Sequence, residues 1–142
     1  MEMTSFAAQV SALRRQFVGY CTQQLSQVGV TYGQVYILIC IGKRGTCSPK
    51  EIGQVLGLDA GHLNRTLAKL AEGGFVEQEP DPKDRRARVV RLTPKGEEVF
   101  ALSHEVFRRW DQEVLAPLST QEREQLMSYM KKLNRERMNR DE

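Results

Sequence analysis

The chain has 142 residues, 40% of them apolar and 27% charged, with a formal net charge of +3. That is the length of one domain with material for a real core, and it excludes a disordered, collagen-like or disulfide-stapled chain. The longest apolar run, Val35 to Ile41, falls far short of the roughly 20 residues a membrane span needs, and the first four residues lack the basic-then-apolar order of a signal peptide, so a cytoplasmic location without a membrane partner is expected.

Helix starts and stops are marked by local chemistry. The first helix is expected over 5–28, with Val10, Leu13, Phe17, Cys21 and Leu25 on one apolar stripe. Thr31 with Gln34 three residues on makes a capping box that opens a helix over 31–42, and Gly42 and Gly45 mark its end. Ser48 with Glu51, and Pro49 between them, opens a short helix over 49–56 that Gly57 closes. A helix over 60–72 buries Leu63, Leu67 and Leu70 and stops at Gly73 and Gly74. Phe75 to Glu79 and Arg88 to Leu92 are β-branched-rich and flank a turn-rich run, which predicts a hairpin over 75–92 with a long charged loop. Thr93 and Pro94 open a helix over 94–115 with Val99, Val106, Trp110 and Val114 on one stripe. The capping box Ser119 and Glu122 opens the last helix, 119–138, with Leu126, Met130 and Leu133. The fold class is therefore mainly α with a small β-hairpin.

A short helix, a tight turn at Gly57-Leu58-Asp59, a second helix and then a hairpin is the winged helix-turn-helix order. With Leu63, Leu67 and Leu70 inward, the second helix turns Gly61, His62, Asn64, Arg65 and Lys69 outward. Those groups suit base edges and phosphates, Ala60 and Gly61 let the helix start approach a backbone, and its positive end favours an anion. Charge is concentrated next to it: Lys83, Arg85, Arg86, Arg88, Arg91 and Lys95 lie within one stretch whose single acid is Asp84. On a projecting hairpin, Arg85, Arg86 and Arg88 have the chemistry for a narrow minor groove. Ser48 and Lys50 read equally as helix-cap residues and as phosphate contacts. One of Arg88 and Arg91 is available to pair with Glu77 or Glu79 instead of with DNA.

No nucleophile–base pair or paired carboxylates suggest an enzyme, and no cofactor motif is present. Cys21, Cys40 and Cys47 form no CxxC pair, and His62 and His104 share no ligand spacing with them, so neither a disulfide framework nor a metal site is expected. Cys40 and Cys21 read as small buried hydrophobes. Cys47, between Thr46 and Ser48 at a helix start, reads as more exposed, with a lowered thiol pKa.

Asp81-Pro82-Lys83-Asp84-Arg85-Arg86-Ala87, followed by Val90-Arg91-Leu92-Thr93-Pro94-Lys95-Gly96, resembles the MarR family of winged helix-turn-helix transcription regulators. The likeness runs from Thr31 through Gly96, with support from Leu58-Asp59 and from Leu70 to Phe75. It implies one MarR-like domain over 1–142, with a DNA-binding lobe over 30–96 and dimerisation helices at 5–28 and 97–138. It further implies a homodimer with interlaced terminal helices, bound to a palindromic operator on double-stranded DNA, usually as a repressor. Release would follow binding of a small anionic, often phenolic, effector, or cysteine oxidation. By resemblance Arg86 is the wing-tip arginine of the family's Asp-x-Arg signature, and Asp84 is the acid that orients the wing. Family ligands sit between the dimerisation helices and the reading head, which nominates Val28, Tyr32, Tyr36 and Trp110. The reactive cysteine of the peroxide-sensing branch would fall near Ala7, not at Cys21. The alternatives are a redox-responsive regulator of the same fold acting through another cysteine, and a winged-helix protein-interaction module.

Overall fold

The computed structural model describes the backbone of residues 5–140 and the side chains of residues 5–135. Among the described residues, six helices and three strands follow in the order α1 (Phe6–Ser26), α2 (Tyr32–Arg44), β1 (Thr46–Cys47), α3 (Pro49–Leu56), α4 (Ala60–Glu72), β2 (Val76–Asp81), β3 (Asp84–Leu92), α5 (Pro94–Val114) and α6 (Thr120–Arg140). Two compact units divide the chain, one ending at Phe107 and the other beginning at Arg108.

Side-chain caps start the helices where the sequence places them. Thr31 Oγ1 accepts the Gln34 N–H at 3.1 Å while Gln34 Oε1 accepts the Thr31 N–H at 2.9 Å. Ser119 and Glu122 make the same reciprocal pair at 3.1 and 2.9 Å. At α3 the Ser48 hydroxyl accepts the Glu51 N–H, and the Glu51 carboxylate stands 3.9 Å from Arg44 Nη1. Asp59, a turn residue by its sequence context, caps α4 by accepting the His62 N–H at 2.9 Å. Gly57 ends α3 at φ 68°, in the left-handed region that a Cβ penalises.

Gly42 does not stop α2. The helix runs through it to Arg44 and ends at Gly45, φ 83°. Gly42 is where the Phe100 ring lies against the helix, with no room for a Cβ. The sequence signal was right about a special glycine and wrong about its reason.

The sheet has the antiparallel order β1-β3-β2. β1 was not expected. It is two residues long, pairing Thr46 with Arg91 and Cys47 with Val90, and two residues carry no periodicity to read. The hairpin keeps to its expected bounds, 75–92, but its strands are longer and its loop shorter than expected. β2 and β3 pair from Val76 with Leu92 to Pro80 with Arg88, and after a shift in register Asp81 pairs with Asp84 around the turn residues Pro82 and Lys83.

The core of the first unit is built from α2 (Val35, Leu38, Ile41), Ile52 of α3, Leu67 and Leu70 of α4, Val90 of β3 and Val99 of α5, all buried. It fixes α3, α4 and the hairpin to one another. In the second unit, Arg123 Nε donates to the Leu115 carbonyl at 3.1 Å and closes the corner between α5 and α6. Among the described residues no helix is long and apolar enough to cross a membrane.

Candidate nucleic-acid interface

The amphipathic pattern of α4 does what its leucines demand. Leu63, Leu67 and Leu70 are buried. Ala60, Gly61, His62, Asn64, Arg65 and Lys69 are exposed. Helix α3 lies against α4 across a cleft of about 380 Å³ lined in part by Lys50, Ala60 and Asn64. Lys50 and Asn64 are thereby brought to one surface, while the half-buried Ser48 has its hydroxyl committed to the α3 cap.

The positive end of α4 already holds an anion. The Asp59 carboxylate sits on the His62 amide, and that hydrogen bond, with smaller help from the nearby His62 and Arg65 charges, holds its pKa below the ordinary value. The phosphate affinity expected of this helix start is thus partly satisfied internally. Cationic attraction on the exposed face of α4 comes instead from Arg65 and Lys69.

The hairpin sorts the basic run into two kinds. Arg91 Nε is 3.3 Å from Glu77 Oε2, and its Nη1 is 3.5 Å from Glu79 Oε1. Lys95 Nζ donates to the Gly73 carbonyl at 2.7 Å and stands 4.5 Å above the Phe75 ring. These two cations are occupied by the protein. Lys83, Arg85, Arg86 and Arg88 are exposed and enter no ion pair among the described residues. Alternation along the regularly paired part of β3 puts Arg88 on the face that continues to Val90 and Leu92, while Arg85 and Arg86 lie where the register shifts, in an irregular stretch next to the turn. The two Asp residues shape the tip: Asp81 Oδ1 accepts the Lys83 N–H at 2.9 Å, and Asp84 Oδ1 accepts the Arg86 N–H at 3.0 Å.

A cationic two-stranded tip beside a helix with a polar outer face has the chemistry to meet a nucleic acid, and the comparisons with known proteins give the family. A MarR family model matches residues 28–87. A transcriptional regulator of Clostridium symbiosum, BilQ, is 36% identical over 95% of this chain and 93% of its own. This chain belongs to the MarR family. It is a DNA-binding transcription regulator, of a family of regulators rather than enzymes. Its fold is similar to that of the reduced form of MarR from E. coli, with a TM-score of 0.85 at 28% identity over 94% of this chain and 98% of that one. A mutant MarR from E. coli complexed with operator DNA matches with a TM-score of 0.78 at 27% identity, covering 89% of this chain and 91% of that one.

The nominated effector residues go to different places. Val28 lines a cleft of about 390 Å³ with Phe75, Lys95, Glu98, Val99 and Leu102. Tyr32 and Tyr36 pack edge-to-face at 5.1 Å, beside Phe17 and Phe107. Burial and the hydroxyl contact with Tyr32 push the Tyr36 pKa up. Trp110 is half-buried in the second unit.

Cys47 overturns its expectation. It is buried, 1% exposed, with its Sγ 3.7 Å from the Cys40 carbonyl. Loss of solvent dominates the helix-start effect and pushes its thiol up to about 12, not down. Cys21, fully buried, is pushed up to about 11 by the same cause.

Proposed function

We propose that the protein is a homodimeric repressor of a palindromic operator, acting in the cytoplasm and released from DNA by a small-molecule effector. In this reading α4 enters the major groove, with Ala60 and Gly61 at the backbone and His62, Asn64, Arg65 and Lys69 toward base edges and phosphates. Ser48 and Lys50 flank the adjoining phosphates. Arg85, Arg86 and Arg88 reach the neighbouring minor groove from the wing, with Asp84 setting the Arg86 backbone. The observation that carries the reading is the division of the basic run: four exposed cations near the hairpin tip enter no ion pair among the described residues, while Arg91 further down the same strand pairs with Glu77 and Glu79.

Dimerisation is supported by apolar side chains left in solvent at helical spacing. On α1 these are Phe6, Val10 and Leu13, and on α6 they are Leu126, Met130 and Leu133. A second copy would cover them and supply the second reading head that a palindrome requires. The effector reading is supported by the apolar cleft at Val28, whose lining does not include Tyr32, Tyr36 or Trp110.

The test is a mobility shift on the DNA upstream of the protein's own gene. Arg86→Ala is expected to weaken binding by about 1–3 kcal/mol, the cost of a lost groove contact. Arg91→Ala, whose guanidinium is held by Glu77 and Glu79, is expected to bind nearly as the parent does. Equal affinity of the Arg86→Ala protein and the parent would remove the wing from the interface.

A further inference from the structure

Lys95 lies in the basic run that reads as a DNA contact, yet its ammonium, on an exposed side chain, is held by the protein itself. It caps the C-terminal end of α4: Nζ donates to the carbonyl of Gly73, the residue that ends the helix, and the charge rests over the Phe75 ring. A cation there meets the carbonyls that a helix end leaves unpaired and the negative end of its dipole. Its neighbours fasten the same turn. Thr93 Oγ1 donates to the Gly74 carbonyl, and the Thr93 N–H donates to the Phe75 carbonyl at 3.1 Å. The Phe75 N–H closes back on the Leu70 carbonyl at 2.9 Å, and Gly96 lies so close to the Phe75 carbonyl that no Cβ fits. The start of α5 therefore grips the end of α4 through residues 93–96, and Lys95 is the charged member of that grip.

We infer that Lys95 is a positioning residue for DNA recognition: it latches the C-terminal end of α4 to α5, and so sets how the exposed face of α4 meets the groove without itself touching a phosphate. The inference rests on the reading of α4 as the element in the groove. Its physical content is a split between affinity and salt dependence. A lysine that neutralises a phosphate contributes about 0.9 to the slope of log K against log salt, whereas a lysine that holds another element contributes nothing to it.

Lys95→Met keeps an unbranched stem over Phe75 and removes the donor and the charge. It is expected to lower affinity for the upstream duplex about three- to tenfold with the salt slope unchanged, and Lys95→Arg is expected to recover most of the loss. In the DNA-free protein, Lys95→Met is expected to speed amide hydrogen exchange at Gly74 and Phe75. A slope shallower by about one would make Lys95 a phosphate contact and overturn the proposal. Unchanged affinity would overturn it as well, whatever the exchange rates. Arg65→Ala separates this from the underlying reading. If that variant binds DNA as the parent does, α4 is not the reader, while the exchange measurement still reports whether the latch exists.

Discussion

Asp59 shows at the residue scale how a single side chain both starts a helix and tunes it. Its carboxylate is exposed, yet the His62 amide lowers its pKa below the ordinary carboxylate value. A group whose pKa falls on folding stabilises the folded state above the ordinary value and loses that contribution as the pH drops through the lowered one. Thermal unfolding of the parent and of Asp59→Asn, which keeps an acceptor oxygen without the titration, is therefore expected to differ at pH 7 and converge below about pH 4. Curves that run parallel across that range would mean that the charge on the cap does no work. Cys47 is the opposite case. The sequence puts it beside a helix start, where a thiolate is favoured, but it pairs into the sheet as part of β1 and burial decides its chemistry. One sequence neighbour predicts one sign and the tertiary environment imposes the other.

Among the elements, legibility followed whether the signal was local. Capping boxes at Thr31 and Ser119 and the cap at Ser48 are written in four consecutive residues, and each opens a helix within a residue of its expected start. The leucines of α4 carry a period, so its buried and exposed faces were both legible. β1 has no period, and the extension of the hairpin to a two-residue turn depends on pairing between strands, which turn-rich residues 80–86 conceal. Glycines were ambiguous for the same reason: Gly42 and Gly96 serve close approach by a distant residue, which no local pattern announces. Gly96 makes this testable. In an open helix Gly→Ala is stabilising by about 0.4–1 kcal/mol, but here the new methyl meets the Phe75 backbone, which cannot rotate away. Gly96→Ala is expected to lower stability by about 1–3 kcal/mol as an overpacked contact, read from the denaturant midpoint. A stabilised variant would show that α5 is free to move off the hairpin.

For the whole molecule, the sequence disclosed the surface better than it disclosed which charges are available. The cluster from Lys83 to Lys95 is plain in the sequence, but Arg91 and Lys95 are withdrawn by Glu77, Glu79 and Gly73, contacts made across strands or between helices. In the proposed reading the cations offered to DNA are Lys83, Arg85, Arg86 and Arg88 on the wing, with Lys50, Arg65 and Lys69 on α3 and α4. Apolar stripes at both ends of the chain add the expectation that two such surfaces act together. The salt dependence of binding tests this account most directly, because neutralising phosphates releases counterions whatever the base sequence. Affinity for the upstream duplex, measured from low to moderate salt, is predicted to fall with a log–log slope of about −4.5 or steeper, as expected when five or more phosphates are neutralised. A slope near zero would contradict it, leaving the winged helix as a surface for something other than DNA.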